Sequence, residues 1–253
     1  MDRILILDTN SLLNRAYYAI RGLTNTEGLP TGAIFGTLKI ILDIQEKLQP
    51  TKIFAAFDVK KKNFRHDKYP EYKGHRKPMD DDLAVQLQPL KELIALMNIK
   101  IVEKEGFEAD DVIGTLTEKL KGEKIVLSGD KDLLQLIKDD TIVYLTKVGV
   151  SELEMNDIKE LNNKGFRTVD EFIDYKALNG DTSDIPGVPG IGDKIAKKLI
   201  AEYSSVDNIY ANIESLNASN RIKESLQANE EICRLSKFLA TIDKNVPIEV
   251  EDT

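Results

Sequence analysis

Three short apolar segments of this 253-residue chain each run into an aspartate, and this repeated arrangement constrains the fold more than any other feature. The segments cover residues 3–8, 53–58 and 124–130, and they end in Asp8, Asp58 and Asp130. Short apolar runs bounded by polar residues indicate buried strands, and helical patterns between them favour parallel pairing. Because the carboxyl ends of parallel strands meet at one edge of a sheet, we expect the three aspartates to lie together there.

Strand and helix patterns alternate through the first 155 residues. We predict strands over residues 3–8, 52–57, 99–102, 123–128 and 141–145, and helices over 11–20, 33–48, 83–97, 108–121 and 131–138. This alternation predicts an α/β fold with a mostly parallel central sheet flanked by helices. After residue 155 only helical segments and glycine-rich turns remain, so we expect a core over 1–155 and a helical subdomain over 156–253.

Two further properties limit the class of protein. The chain has no continuous apolar stretch of about 18 residues, the length that a membrane-spanning helix needs. The pattern of a secretory leader is also missing, so we expect a cytoplasmic protein without a membrane partner. The single Cys233 cannot form an internal disulfide, and we expect it to fill the core.

The charge distribution points to a polyanionic partner. A net charge of −8 would by itself argue against nucleic acid, but residues 60–77 hold eight of the 35 lysines and arginines against only two acids. Phe64, Tyr69 and Tyr72 lie among them, a mixture that suits phosphate contacts and stacking on unpaired bases. A solvated loop or a lysine-rich helix face has the same composition, so the run alone leaves both interpretations open.

Further carboxylates are expected at the same edge. They are Glu108, Asp110 and Asp111 at a predicted helix start, Asp132 after Asp130, and Asp181 with Asp184 before a glycine-rich turn. Acids at a helix start are stabilised by the helix dipole alone, and aspartate is common in turns, so each group also has a structural interpretation. Glu108 and Asp111, however, share a helix face that points to the strand ends.

Nine clustered carboxylates would repel one another strongly unless cations neutralise them. Oxygen-only ligands select hard ions, so we predict Mg²⁺ or Mn²⁺ at this edge. Two such ions can activate a water and stabilise the leaving oxygen in phosphodiester hydrolysis.

A glycine-rich segment at 189–200 carries a second signal. Gly190 and Gly192 allow a tight hairpin between helices, and backbone N–H groups at the following helix start suit a phosphate. Three lysines on that helix add positive charge: Lys194, Lys197 and Lys198. We predict a helix-hairpin-helix over about 185–200 that holds duplex DNA without reading its sequence, although a plain structural turn is the alternative.

Taken in order, the motifs resemble those of the bacterial 5′-nuclease, or flap endonuclease, family over nearly the whole chain. They are Leu7-Asp-Thr-Asn10, Ala56-Phe-Asp58, Phe64-Arg-His66, Tyr72-Lys-Gly-His-Arg76, Gly106-Phe-Glu-Ala-Asp-Asp111, Ser128-Gly-Asp-Lys-Asp132, Gly180-Asp-Thr-Ser-Asp184 and Pro186-Gly-Val-Pro-Gly-Ile-Gly192. Members of this family occur as the 5′-3′ exonuclease domain of family A DNA polymerases and as free-standing proteins.

The resemblance implies a PIN-like nuclease core with a basic helical arch at about 60–82. It implies roles for individual residues: metal ligands at Asp8, Asp58, Glu108, Asp110, Asp111, Asp130, Asp132, Asp181 and Asp184; phosphate-steering residues Lys73 and Arg76 with the arch aromatic Tyr72; and DNA-binding helpers Arg65 and Lys68. It also implies two Mg²⁺ or Mn²⁺ ions and a K⁺ at the helix-hairpin-helix.

The implied activity is 5′-3′ exonuclease and flap endonuclease cleavage during DNA replication and repair. Its substrates would be DNA with 5′ flaps or ends and RNA–DNA primers, and its partner a DNA polymerase domain or protein. We expect a monomer.

Two departures from the family pattern bear on this expectation. The first motif reads Asp-Thr-Asn in place of the usual Asp-Gly-Asn, a change we expect to be tolerated. Asp184 is followed directly by Ile185 and Pro186, so one residue of the usual turn is absent and Asp184 is expected to shift. The rival hypotheses are a PIN-like ribonuclease and a non-catalytic binder of branched DNA with an impaired second metal site.

Overall fold

The computed structural model describes residues 2–59, 61–147, 152–181 and 184–250. The chain forms two compact units: the first comprises residues 1–63, 77–157 and 243–253, and the second comprises 64–76 and 158–242. This division differs from the predicted boundary at residue 155 in two segments. Part of the basic stretch packs with the helical unit, and the chain after residue 242 returns to the α/β unit.

The elements of the described residues alternate as the sequence indicated. In chain order they are β1 (Arg3–Asp8), α1 (Thr9–Ala19), α2 (Gly32–Leu48), β2 (Lys52–Ala56), α3 (Phe64–Lys68), α4 (Asp81–Leu96), β3 (Lys100–Val102), α5 (Ala109–Lys119), β4 (Glu123–Ser128), β5 (Thr141–Thr146), β6 (Leu153–Asn156), α6 (Ile158–Asn163), α7 (Val169–Asn179), α8 (Asp193–Tyr203), α9 (Val206–Ala211), α10 (Asn220–Ala228) and α11 (Glu230–Ala240). Short 3₁₀ helices cover Lys131–Leu136 and Ile213–Ser215.

The sheet has the strand order β3-β2-β1-β4-β5-β6 within the described residues. The first five strands are parallel, and β6 pairs antiparallel with β5. The predicted α/β class and mostly parallel sheet are therefore confirmed. Strand order reverses at β1, and such a reversal point is where open α/β sheets collect their ligands, beyond the carboxyl ends of the strands.

Register places the strand ends of the three aspartate segments side by side. Asp8 pairs with Ala56 of β2, and Leu7 pairs with Leu127 of β4. Since Asp58 and Asp130 each follow their strand by two residues, all three aspartates leave the sheet at the same edge.

The strands are buried on both faces, which is why they read as continuous apolar runs. Ile4, Leu5, Ile6 and Leu7 of β1 have no exposed surface. Leu5 and Leu7 belong to a cluster with apolar residues of α1, α2 and α4, and strand alternation turns the other two to the opposite face. Complete burial of one such side chain contributes about 1.5–3 kcal/mol.

Two predicted elements differ in detail. The helix predicted over 131–138 is the shorter 3₁₀ helix Lys131–Leu136. Strand β6 was not predicted, because its four residues are too few to show an alternating pattern and its partner strand supplies the pairing.

The second unit is helical, as predicted for the C-terminal part of the chain. Its core joins Leu178 of α7, Leu199 of α8, Ile209 of α9, Leu226 of α10 and Cys233 of α11. The Cys233 thiol is fully buried, as expected for a core residue, and burial raises its pKa to about 11. No helix among the described residues has the length and apolar character needed to span a membrane.

Candidate active site

Asp8 is the centre of the acidic edge. It ends the central strand β1, and only 3% of its surface is exposed. Its Oδ1 accepts a hydrogen bond from the Ser11 backbone N–H at 3.2 Å, which caps α1, and its Oδ2 accepts one from Ser128 Oγ at 2.5 Å. A buried carboxylate is thus held by a donor from its own helix and a donor from the neighbouring strand.

The electrostatics of Asp8 show that the predicted neighbours act on it. Burial, together with the charges of Asp58 and Asp130, raises its pKa from the ordinary 3.8 to about 7. The hydrogen bonds from Ser128 and Ser11 oppose this rise because they stabilise the charged form. The three aspartates expected at one edge therefore interact there through their charges.

Asp58 and Asp130 are exposed, and backbone contacts fix the segments that carry them. The Asp58 backbone N–H donates to Asn10 Oδ1 at 3.1 Å, and its Oδ1 accepts from the Ala109 N–H at the start of α5 at 2.8 Å. Asp130 Oδ1 accepts from the Asp132 N–H at 2.9 Å and so caps the 3₁₀ helix. Asp132 is half-buried directly beside it.

The acids at the start of α5 also have structural contacts. Asp111 is fully buried; its Oδ2 accepts from the Glu108 backbone N–H at 3.1 Å and its Oδ1 from the Asp243 N–H at 2.8 Å. Glu108 Oε1 accepts from Asn63 Nδ2 at 2.8 Å, while Asp110 is half-buried. The bond from the Glu108 N–H to Asp111 is part of a capping box. Asp111 therefore stabilises the start of α5, which is the structural role that acids at a helix start can have without any metal.

A hard divalent cation suits this donor set. The edge offers only oxygen donors, and a cation would offset the burial and the repulsion by Asp58 and Asp130 that raise the pKa of Asp8. In the described parts of the chain, no three carboxylate, imidazole or thiolate side chains already converge on one point. Asp58 and Asp130 are exposed, whereas Asp8 is buried.

Asp181 and Asp184 lie in the second unit, on either side of residues 182–183, which are outside the described residues. Asp181 Oδ1 accepts from the Asp184 N–H at 2.7 Å and from the Ile185 N–H at 3.1 Å, the pattern of an aspartate-stabilised turn. The buried Asp184 carboxylate forms an ion pair with Arg76, whose Nε lies 2.9 Å from Oδ2. A predicted metal ligand and a predicted phosphate-steering residue are thus paired with each other.

The basic stretch departs from the expected arch in three ways. It contains the short helix α3 followed by turns, and Lys73 has a left-handed φ of +57°, so Lys73 and Arg76 belong to a turn and not to a helix. Lys60 lies outside the described residues. Tyr72 is not an exposed stacking platform: it is buried against Ile185 and Leu239, although the Lys73 ammonium lies 5.1 Å from its ring centroid.

Arg65 is the third departure. It was expected to help bind DNA, but it is only 2% exposed and its guanidinium donates to the Leu239 carbonyl at 3.1 Å and the Thr241 carbonyl at 2.8 Å. These carbonyls at the end of α11 would otherwise lack helical partners, so Arg65 ties α3 to α11. Lys68, on the same short helix, is exposed as expected.

The glycine-rich segment forms a hairpin between α7 and α8. Gly180 and Gly187 pack backbone to backbone, and a Cβ on Gly187 would lie 2.6 Å from the Gly180 nitrogen, so only glycine fits. Gly190 is exposed with a left-handed φ of +78°, and exposed Gly192 is the N-cap of α8.

The three lysines of α8 are exposed. Lys197 pairs with Asp193 at 2.9 Å, and Lys198 donates to the Asn217 carbonyl at 3.2 Å. Lys194 lies next to the hairpin and its side chain is exposed. The hairpin therefore presents exposed backbone and a cation together, as a phosphate-binding turn requires.

Comparison with known proteins assigns the whole chain. Residues 3–167 match the model of the 5′-3′ exonuclease N-terminal resolvase-like domain, and residues 167–253 match that of the 5′-3′ exonuclease C-terminal SAM fold. The chain belongs to the 5′-3′ exonuclease family. The predicted resemblance to this family is confirmed.

Relatives and solved structures agree with this assignment. DNA polymerase I of Caldicellulosiruptor bescii is 40% identical over 98% of this exonuclease-family chain, which covers 30% of the polymerase. T5 5′-exonuclease with bound zinc shares the fold at a TM-score of 0.75 and 23% identity, over 95% of this chain and 90% of that one. Bacteriophage T5 flap endonuclease in a complex with DNA and metal ions gives the same TM-score, at 23% identity over 96% and 89% of the two chains. The chain spans about 30% of the length of the curated relative it matches.

Sequence reasoning singled out the acids of this edge and missed the residues that orient them. Ser128, Asn10 and Asn63 each contact a predicted ligand or its backbone. Ser128 and Asn10 belong to the motifs Ser128-Gly-Asp130 and Asp8-Thr-Asn10. A polar residue two positions from an aspartate at a strand end was therefore the sequence signal that could have identified them.

Proposed function

We propose that this exonuclease-family protein hydrolyses DNA phosphodiesters at 5′ ends and 5′ flaps with the help of divalent metal ions. One observation supports this most directly: a buried aspartate ends the central strand, and the charges of Asp58 and Asp130 help raise its pKa to about 7. A site that accumulates repelling carboxylates at the reversal point of an α/β sheet is built to bind cations and, through them, phosphate.

Asp8, Asp58 and Asp130 would hold the metal ions, with Glu108, Asp110, Asp111 and Asp132 around them and Asp181 and Asp184 as more distal ligands. When bound, divalent ions such as Mg²⁺ or Mn²⁺ would supply an activated water and stabilise the leaving oxygen. In that hydrolysis the oxygen of the water would bond to phosphorus as the bond from phosphorus to the leaving deoxyribose oxygen breaks. Seven of these acids lie in the α/β unit, so this unit would carry the chemistry.

The basic residues would bind the polyanion. Lys73 and Arg76 would contact the scissile phosphate, and Lys68 would contact the strand nearby. The hairpin would hold the duplex through Gly190, Gly192, Lys194, Lys197 and Lys198, with a K⁺ at its carbonyls. The exposed position of all five hairpin residues supports this role.

The natural substrates would be 5′ flaps and RNA–DNA primers, processed during replication and repair beside a DNA polymerase, with the chain acting as a monomer. The likeness to DNA polymerase I supports the connection with a polymerase.

The decisive experiment uses a duplex with a labelled 5′ flap. The wild-type protein should cleave it with Mg²⁺ and not with EDTA. Asp130→Ala should abolish cleavage while DNA binding, measured by fluorescence anisotropy, stays largely intact. Asp139→Ala is the matched control, since this exposed aspartate precedes β5 at the opposite edge of the sheet and should leave cleavage unchanged. If Asp130→Ala cleaves the flap as fast as the wild type, the proposal that Asp130 binds a catalytic metal ion is wrong.

The ion pair between Arg76 and Asp184 favours a second candidate, a binder of branched DNA without cleavage. In that case the ion pair withholds Asp184 from a metal ion and Arg76 from phosphate. Tight flap binding with no product at any Mg²⁺ concentration would identify this function.

A further inference from the structure

Ser128 makes two contacts at the acidic edge with one hydroxyl. This residue ends β4 and has no exposed surface. Its Oγ donates to Asp8 Oδ2 at 2.5 Å and accepts from the Asp130 backbone N–H at 2.8 Å. The hydroxyl therefore joins the carboxylate that ends β1 to the backbone that carries the neighbouring aspartate.

Both contacts have consequences for a bound cation. A hydroxyl that donates to one carboxylate oxygen fixes the rotation of the group and so decides which oxygen lone pairs face the edge. The same hydroxyl accepts the N–H of Asp130 and so sets where that side chain leaves the strand. An alanine at this position would remove both constraints and leave a buried carboxylate with one donor fewer.

The neighbouring Ser11 separates this role from simple packing. Its Oγ accepts from the Gly129 N–H at 3.1 Å, so it also ties the end of β4 to the start of α1. Within the part of the chain that the structure describes, its hydroxyl donates no hydrogen bond to a carboxylate of the edge. Ser11→Ala therefore loosens the same turn without touching Asp8 through its side chain.

We infer that Ser128 is a positioning residue for the metal ligands: its hydroxyl orients Asp8 and places Asp130 so that both can bind one divalent cation. This inference rests on the proposed function, because it assumes that these aspartates bind metal. Hydrogen-bond partners of metal ligands typically contribute a factor of about 10–100 in metal affinity or activity.

The test measures Mn²⁺ and Mg²⁺ binding to the full chain by isothermal titration calorimetry without DNA. We expect Ser128→Ala to bind about tenfold more weakly, Ser128→Thr to keep near-wild-type affinity because it keeps the hydroxyl, and Ser11→Ala to match the wild type. The Mg²⁺ concentration for half-maximal single-turnover flap cleavage should rise in the same order, while the maximal rate changes less.

Ser128→Cys guards against a folding defect. The cysteine variant fills the site that alanine would leave empty but has only a weak donor, so it should bind metal as poorly as alanine while its unfolding temperature stays closer to that of the wild type. If alanine and cysteine both bind metal with wild-type affinity, or if Ser11→Ala loses as much, the inference is wrong.

Different results would refute the proposed function and the role of Ser128. Should the wild-type protein bind Mn²⁺ and Asp130→Ala lose that binding while the Ser128 variants keep it, only the role of Ser128 is refuted. If the wild-type protein itself binds no Mn²⁺, both the proposed function and the role of Ser128 are refuted.

Discussion

Replacing Asp8 by asparagine should stabilise the metal-free protein at alkaline pH although it removes a site residue. In the folded state, burial and the charges of Asp58 and Asp130 raise the pKa of Asp8 from 3.8 to about 7. Above pH 7 the group is charged in both the folded and unfolded states, so folding then has to place a charge where a neutral group is preferred. Asparagine keeps the shape and removes the charge.

The magnitude follows from the two pKa values. A tenfold change in proton affinity is worth about 1.4 kcal/mol, so a pKa of about 7 in place of 3.8 costs about 4 kcal/mol when both states are ionised. Because the folded-state pKa is raised, the favourable contribution of the protonated group is complete below about pH 4 and is lost as pH rises to about 7. Asparagine also loses an acceptor for Ser128 or Ser11, worth about 1–2 kcal/mol, so the net gain should be about 2–3 kcal/mol.

Urea unfolding from pH 5 to pH 8 in EDTA measures this difference. We expect the free energy of unfolding of Asp8→Asn to exceed that of the wild type at pH 8, and we expect this difference to become smaller toward pH 5. Mg²⁺ at a hundred times its Kd should cancel most or all of this gain, because it stabilises the wild type by about 2.7 kcal/mol and should not stabilise the variant.

Asp140→Asn is the matched control. Partial burial raises the pKa of Asp140, but the hydrogen bonds from Lys124 and Thr141 and the charges of Lys124 and Lys138 together outweigh it, so the pKa is lowered overall. Its stabilising contribution is therefore present above its ordinary pKa and lost as pH falls, so this variant should be less stable than the wild type at pH 8. A less stable Asp8→Asn at pH 8 in EDTA would refute the account of the acidic edge.

Three further predictions concern the second unit. Arg76→Ala should slow single-turnover cleavage about a hundredfold at saturating enzyme, the range for losing one charge contact in the transition state; a change in Kd alone would make Arg76 a phosphate anchor. Inserting asparagine between Asp184 and Ile185 should raise cleavage at limiting Mg²⁺ with little change in duplex affinity, since misplacing a site group by about 1 Å can cost a hundredfold; equal rates across a Mg²⁺ titration would show that the missing residue is silent. Arg65→Ala should lower the free energy of unfolding by about 3 kcal/mol because its carbonyl partners stay buried, whereas Lys68→Ala should change it by less than about 0.5 kcal/mol; normal stability with lost DNA affinity in Arg65→Ala would contradict this.

Most of the fold could be predicted because its signals are local. The strands of the core are buried on both faces and so appear as apolar runs. The helices between them have apolar residues at the three- to four-residue spacing of an amphipathic helix. Parallel pairing then carries Asp8, Asp58 and Asp130 to one edge without further information. β6 escaped prediction because an edge strand of four residues depends on its partner more than on its own pattern.

Long-range contacts set the surroundings of the site residues. Arg65 and Tyr72 look like exposed members of a basic, aromatic segment, yet both are buried against α11. Arg76 looks free to meet a phosphate, yet it pairs with Asp184. In each case a partner distant in the sequence decides whether a charged or aromatic side chain is exposed.

The sequence by itself determined the α/β class, the acidic edge and the helical hairpin, because strand burial, parallel register and glycine turns depend on residue types over short windows. Tertiary structure alone decided that Asp8 would be buried and its pKa raised, and that Ser128 would hold it. Those properties come from distances between β1 and β4, whose paired residues are more than a hundred positions apart in the chain. Charge and hydrogen-bond energies depend on such distances, and a sequence pattern contains none of them.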